Sequence, residues 1–169
     1  GVQQQTENVW FQAEKHGISK ICFINKMDRI GADFFAVLNE ITTKLNAVPL
    51  ALQIPMGSED QFEGVIDLIK QKALYWIDEN GETIVEKEIP ENYQAEANEF
   101  KSKLMETLAE YDEIFFEIFM NSENEISEEM IFEAIQRTCQ ARSLVPVLCG
   151  SAFKNKGVKP LLDAIVNYL

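Results

Sequence analysis

The chain has 169 residues, enough for one domain or for one domain carrying an insert. Its 15 Lys and Arg face 28 Asp and Glu, a net charge of −13, which disfavours a generic nucleic-acid surface; no direct nucleic-acid binding is expected. Apolar residues make up 46% and charged residues 25%, which excludes a disordered chain, and no apolar run nears the roughly 18 residues of a membrane span.

No signal-peptide pattern opens the chain, and Gly1 suggests an excised or processed piece. The spacing predicts a first helix over 3–15, with Val9, Trp10 and Ala13 on one face. His16-Gly17 ends it, because Gly accepts the left-handed C-cap conformation. His16, the one histidine, is expected at the surface with no catalytic role. Ile21-Cys22-Phe23-Ile24 is a short unbroken apolar run, as in a parallel strand buried on both faces. Asn25-Lys26-Met27-Asp28 follows at its C-terminal end. Asp33 can cap a helix over 34–46, with Phe34, Val37, Leu38, Ile41 and Leu45 inward. Val48 to Ile54 reads as extended, with Pro49 and Pro55 bounding it.

A second pattern then begins. Gly64 to Ile69 can be extended, and Ala73 to Ile77, Asp78-Glu79-Asn80-Gly81 and Thr83 to Val85 read as strand, turn and strand. Tyr93, Ala97, Phe100, Leu104, Leu108 and Tyr111 make one stripe of a long amphipathic helix. Glu96, Glu99, Glu106 and Glu110 fall outside it. Ile114, Phe115, Ile118 and Phe119 suit a further short helix, and Ser127 caps another that runs to about Ala141. From Asp78 to Glu133 there are 18 acidic and 3 basic residues; the remainder carries a net +2. So sharp a shift suggests two units, the acidic one inserted into the other.

The first pattern returns with the apolar strand Leu144 to Cys149, then Gly150-Ser151-Ala152, then a last helix holding Val158, Leu161, Leu162, Ile165 and Val166. The two short apolar strands are expected to be parallel neighbours with an exposed apolar edge. Cys22, Cys139 and Cys149 form no Cys-x-x-Cys pair, which fits reduced thiols in a cytoplasmic compartment rather than disulfides or zinc.

The chemistry sits at the ends of those two strands, where α/β sheets bind ligands. A carboxylate at Asp28 can accept from the N1–H and exocyclic amino group of guanine, donors that adenine does not offer in that arrangement. The Asn25 amide suits the guanine O6/N7 edge, and the Lys26 stem can lie along the base. The same letters also suit a solvated strand-to-helix turn. Ser151-Ala152-Phe153 tips the balance: a backbone N–H at Ala152 could donate to guanine O6, and the Ser151 hydroxyl could brace the Asp28 loop. Two such loops in order, each after its own strand, make coincidence a poor explanation.

At this point a resemblance is visible. GVQQQTE, INKMDRIGADF, LQIPMGSEDQFEGVIDLI and LCGSAFKNKGVKPLLDAIVNYL together resemble the bacterial-type translation elongation factor G family, over essentially the whole chain. The resemblance implies an α/β fold, an incomplete P-loop-GTPase-type parallel sheet with an inserted α+β subdomain. Residues 1–46 and 146–169 would be the C-terminal part of the GTPase domain, and 47–145 the acidic insert. It implies nucleotide-binding roles for Asn25, Lys26, Asp28, Ser151, Ala152 and Phe153, with GTP or GDP bound in the intact parent. The phosphate loop, the Mg²⁺-binding Thr and the Asp-x-x-Gly-His segment with the catalytic His should precede Gly1. No Gly-x-x-x-x-Gly-Lys-Ser/Thr occurs here, and Asp78 to Gly81 matches Asp-x-x-Gly only as a hairpin turn. The chain by itself should therefore hold no catalytic residue and no metal ligand, should bind nucleotide poorly, and should not hydrolyse it.

In the parent the implied partners are the ribosome and, through Glu96, Glu99 and Glu106 of the insert, the ribosomal stalk protein; no membrane is involved. Those carboxylates equally suit a solvated face that keeps the protein soluble. A ribosome-recycling or organellar paralogue would carry much the same residues as a translocase.

Overall fold

The computed structural model describes residues 1–169, the side chain of Glu123 excepted. Helix α1 (Gln4–Lys15) stops where expected: Gly17 is left-handed at φ 67, and its N–H and that of Ile18 satisfy Glu14 and Ala13 carbonyls. Trp10 is buried, whereas Val9, placed with it on one face, lies exposed. Strand β1 (Cys22–Ile24) leads through the Asn25–Asp28 loop to α2 (Phe34–Leu45). Asp33 caps α2 by accepting from Ala36 N–H at 3.0 Å, and Phe34, Ile41 and Leu45 are its buried residues. The helix ends one residue short of the expected Asn46, which turns left-handed at φ 51.

The extended segment after α2 is divided into two strands. Strand β2 (Pro49–Ala51) is followed, after Leu52, by β3 (Gln53–Met56). Leu52 is the joint. Its N–H donates to Val147 O at 3.0 Å, while its own carbonyl accepts from Leu68 N–H at 3.0 Å. One residue thus serves two sheets.

Strands β4 (Gly64–Asp67), β5 (Lys72–Trp76) and β6 (Ile84–Lys87) complete an antiparallel sheet in the order β3-β4-β5-β6. Asp67 turns the chain after β4 by accepting from the Ile69 and Lys70 N–H groups. Asp78 to Gly81 forms the β5–β6 hairpin turn, with Asp78 Oδ2 accepting from Thr83 N–H at 3.1 Å.

Helix α3 (Glu91–Tyr111) carries the expected stripe, with Ala97, Leu104 and Leu108 buried; it ends at Asp112, where α4 (Glu113–Ser122) begins. Helix α5 (Glu128–Gln140) has Ser127 Oγ accepting from Met130 N–H at 3.2 Å. Strand β7 (Val145–Cys149), buried throughout, and α6 (Val158–Tyr168) close the chain.

A three-stranded parallel sheet runs β1-β7-β2, with Ile24 opposite Cys149 and Leu50 opposite Pro146. The two apolar strands are therefore parallel neighbours, and β1 is at an edge. Gln53 is 4% exposed and its Oε1 accepts from Cys149 N–H at 3.3 Å, so a buried amide knits β3 to β7. On the far side, Phe35 of α2 meets Phe100 of α3 with ring centroids 5.3 Å apart. These contacts hold the sheets, and so the loops at their ends, in one register.

Candidate functional site

The β1–β7 pairing brings the two loops together. Met27 N–H donates to Gly150 O at 3.1 Å, and Gly150 N–H donates to Ile24 O at 3.1 Å, so the ladder continues into the loops. Gly150 has no room for a side chain: a Cβ there would lie 2.2 Å from Lys156 O. Gly157 is also tightly packed, with a Cβ position 2.7 Å from Cys149 O, and sits at φ 89. Between them Ser151 and Lys156 exchange two backbone hydrogen bonds at 2.8 Å, which folds residues 151–156 into a tight loop.

Asn25 is the link between the loops. Its Oδ1 accepts from Lys26 N–H and from Ala152 N–H, both at 2.8 Å. The Ala152 N–H, which sequence reasoning aimed at guanine O6, is thus directed at Asn25 here. Lys26 lies in the left-handed region at φ 61, uncommon for a residue with a side chain, and exposes its stem. Such backbone strain, held by the neighbouring hydrogen bonds, is characteristic of functional loops.

Asp28 is half-buried. A hydrogen bond from the Ser151 hydroxyl, ahead of the Lys154 ammonium, holds its carboxyl below the usual carboxylate range. Lys154 Nζ stands 3.4 Å from Asp28 Oδ2. Ser151 itself is 1% exposed. Phe153 is 91% exposed, a flat apolar face beside the carboxylate loop. All six expected nucleotide residues thus fall on two adjoining loops. Together they offer a fixed carboxylate, an amide with its NH₂ end still available and an aromatic face. That donor and acceptor set fits the edge and face of a guanine base.

Lys154 was not foreseen, and neither was Glu59, whose carboxylate accepts from Gly31 N–H at 2.8 Å. The only signal for Lys154 was its nearness to Phe153; nothing local marked Glu59.

The acidic helix is less uniformly free than its sequence suggests. Glu96 is half-buried, and burial together with Glu99 pushes its carboxyl up. Glu99 pairs with Lys103 at 2.9 Å, and Glu106 is exposed. The thiols are quiet: burial pushes Cys22 up to about 11, and Cys149 is pushed up further still. No disulfide joins the three cysteines, and among the described residues no cluster of three or more His, Cys, Asp or Glu could hold a metal ion. Among the described residues no helix is long and apolar enough to cross a membrane.

Residues 1–169 match the Elongation factor Tu GTP binding domain family. The chain belongs to that family. It is 51% identical over its whole length to elongation factor G of Amoebophilus asiaticus and 47% identical to elongation factor G of Thermotoga maritima, covering 24% of each. A crystal structure of a Thermus thermophilus protein superposes on all of this chain and 25% of its own at TM-score 0.86, with 28% identity. The chain thus spans about a quarter of the length of these relatives. The family membership agrees with the elongation factor G resemblance and with the α/β fold of parallel and antiparallel sheets.

Proposed function

We propose that this chain supplies the guanine-recognising part of a longer translational GTPase, one that binds GTP or GDP and uses its hydrolysis to drive translocation on the ribosome in the cytoplasm. The observation that carries the reading is the hydrogen bond from Ala152 N–H to Asn25 Oδ1, which joins two loops of guanine-binding composition beside the Asp28 carboxylate. In this reading Asp28 accepts from guanine N1–H and the 2-amino group. Asn25 presents its NH₂ to the other edge, Lys26 and Phe153 border the base, and Ser151 and Ala152 hold the two loops in register. Phosphate and Mg²⁺ are assigned to other segments of the longer protein.

The division into a nucleotide-facing unit (1–46 and 146–169) and an acidic insert (47–145) belongs to the same proposal. The pairing of Pro49–Ala51 with β7 gives the first unit a strand from the start of the second.

Base contacts alone must offset the cost of association, so the 169-residue chain is expected to bind fluorescent GDP more weakly than micromolar and to show no hydrolysis. Micromolar or tighter binding in a titration would contradict this.

For the acidic helix the reading is a contact with a basic face of the stalk protein, supported by the exposed Glu106 and Glu99. Reversing Glu96, Glu99 and Glu106 to Lys is expected to slow association with purified stalk protein and to flatten its salt dependence. Association unchanged by the reversals would take these carboxylates out of the interface.

A further inference from the structure

Each of the two base loops is also held from the antiparallel sheet. Glu59 lies between β3 and β4 at φ 58, a strained position for a residue with a side chain. Its N–H donates to Met27 O at 2.8 Å, and its carboxylate accepts from Gly31 N–H at 2.8 Å. Met27, within the Asn25–Asp28 loop, is 1% exposed and donates to Gly150 on its other side. That loop is therefore clamped between β7 and Glu59.

The second loop meets the β5–β6 hairpin tip. Asn155 Nδ2 donates to Asn80 O at 3.0 Å. Gly81 approaches so closely that a Cβ there would lie 2.5 Å from Asn155 O and 2.8 Å from Lys154 O. Gly81 and Asn155 are both left-handed, at φ 66 and φ 55. Glu59, Asn80 and Gly81 lie outside the registers of the β3–β6 ladders, so both contacts run from the turns of that sheet to the loops. Lys154, the residue before Asn155, is the one that pairs with Asp28.

We propose that Glu59 and the Asn80–Asn155 contact are positioning elements: they set the spacing between the two base loops and so tune selectivity for the guanine base. The inference rests on the guanine-binding reading above. Its consequence is reciprocal, because a partner that shifts the antiparallel sheet would change base affinity, and a bound base would change affinity for that partner.

The test compares GDP with inosine diphosphate, which lacks the 2-amino group assigned to Asp28, in the full-length GTPase. Glu59→Ala is expected to cut the preference for GDP about fivefold, the worth of one hydrogen bond. Glu59→Gln should stay within about twofold of wild type, since its amide oxygen still accepts from Gly31 N–H. Asn155→Gly removes the side-chain contact while easing the left-handed backbone, so a folding defect is not its expected effect; its GDP preference should fall as for Glu59→Ala. An unchanged preference in both Glu59→Ala and Asn155→Gly, with wild type selective, would overturn the positioning role and leave guanine recognition standing. Equal losses in Glu59→Ala and Glu59→Gln would reject the acceptor role of Glu59. A wild type that does not favour GDP over inosine or adenosine diphosphate would overturn the guanine reading and this inference with it.

Discussion

Replacing Asp28 with Asn in the full-length GTPase is expected to lower GDP affinity by about ten- to a hundredfold. The ionised carboxylate is assigned two hydrogen bonds, and bonds to a charged partner are worth about 1.5–3 kcal/mol each before partial compensation. An Asn side chain keeps one acceptor and turns the other into a donor. That arrangement opposes the guanine 2-amino group and suits the C2 carbonyl of xanthine. Competition between GDP and xanthosine diphosphate reads the effect, and the preference should move toward xanthosine. Equal GDP affinity in wild type and Asp28→Asn would remove Asp28 from base recognition. Asp28 also touches Ser151 and Lys154, so a thermal melt must accompany the measurement. The lowered carboxyl also sets a pH expectation: Asp28 titrates below its ordinary value of 3.8, so this contact should persist to a lower pH than an unperturbed carboxylate would allow.

The second large effect concerns stability. Asp112 is 8% exposed at the junction of α3 and α4. Its Oδ2 accepts from Phe115 N–H at 2.9 Å, starting α4, and its two oxygens take a forked ion pair from Arg137 of α5 at 3.0 and 2.8 Å. Three helices thus meet on one carboxylate. Asp112→Ala loses a helix cap, about 1 kcal/mol, and strands Arg137. Because Arg137 is about one-third exposed, water recovers part of that second loss. The expected cost is about 2 kcal/mol, a fall in Tm of about 4–8 °C for a chain of this size. Asp112→Asn keeps the cap and should lose about half as much.

Burial pushes the Asp112 carboxyl up, but Arg137 and the Phe115 N–H outweigh it and hold the group below its ordinary value of 3.8. A carboxyl depressed in the folded state stabilises fully above its unfolded value, and that contribution fades as pH falls through the folded one. The gap between wild type and Asp112→Asn should therefore be constant near neutrality and close below about pH 4. Matching denaturation midpoints for wild type and Asp112→Ala at pH 7 would sink the assignment.

Much of the local structure was legible because its causes are local. Asp33 and Ser127 announce helix starts because a side-chain oxygen must meet a backbone N–H a few residues on, and both do. The stripe on α3 follows from helical periodicity, and Ala97, Leu104 and Leu108 are buried as that period requires. Local pattern failed where a partner far along the chain decided the outcome. Val48 to Ile54 was legible as extended, but nothing near Leu52 marks a change of sheet. The break exists because Leu52 gives its N–H to Val147 and its carbonyl to Leu68. Val9 has the spacing of a buried residue but lies exposed, since helical period sets which residues share a face and not what covers that face.

The site divides along the same line. The sequence by itself determined its chemistry: an amide, a lysine and a carboxylate after one apolar strand, and a hydroxyl, a small residue and an aromatic after another. It also determined that the acid excess, 18 acidic against 3 basic residues, lies between residues 78 and 133, while the rest of the chain carries a net +2. Only the tertiary structure decided that Asn25 and Ala152, 127 residues apart, share a hydrogen bond, that Lys154 leans on Asp28, and that Glu59 and Asn80 reach in behind both loops. Residue type and spacing encode interactions within a turn or two of chain. The pairing of β1 with β7 joins segments whose meeting depends on the whole intervening chain, and it is that pairing which brings the two loops side by side.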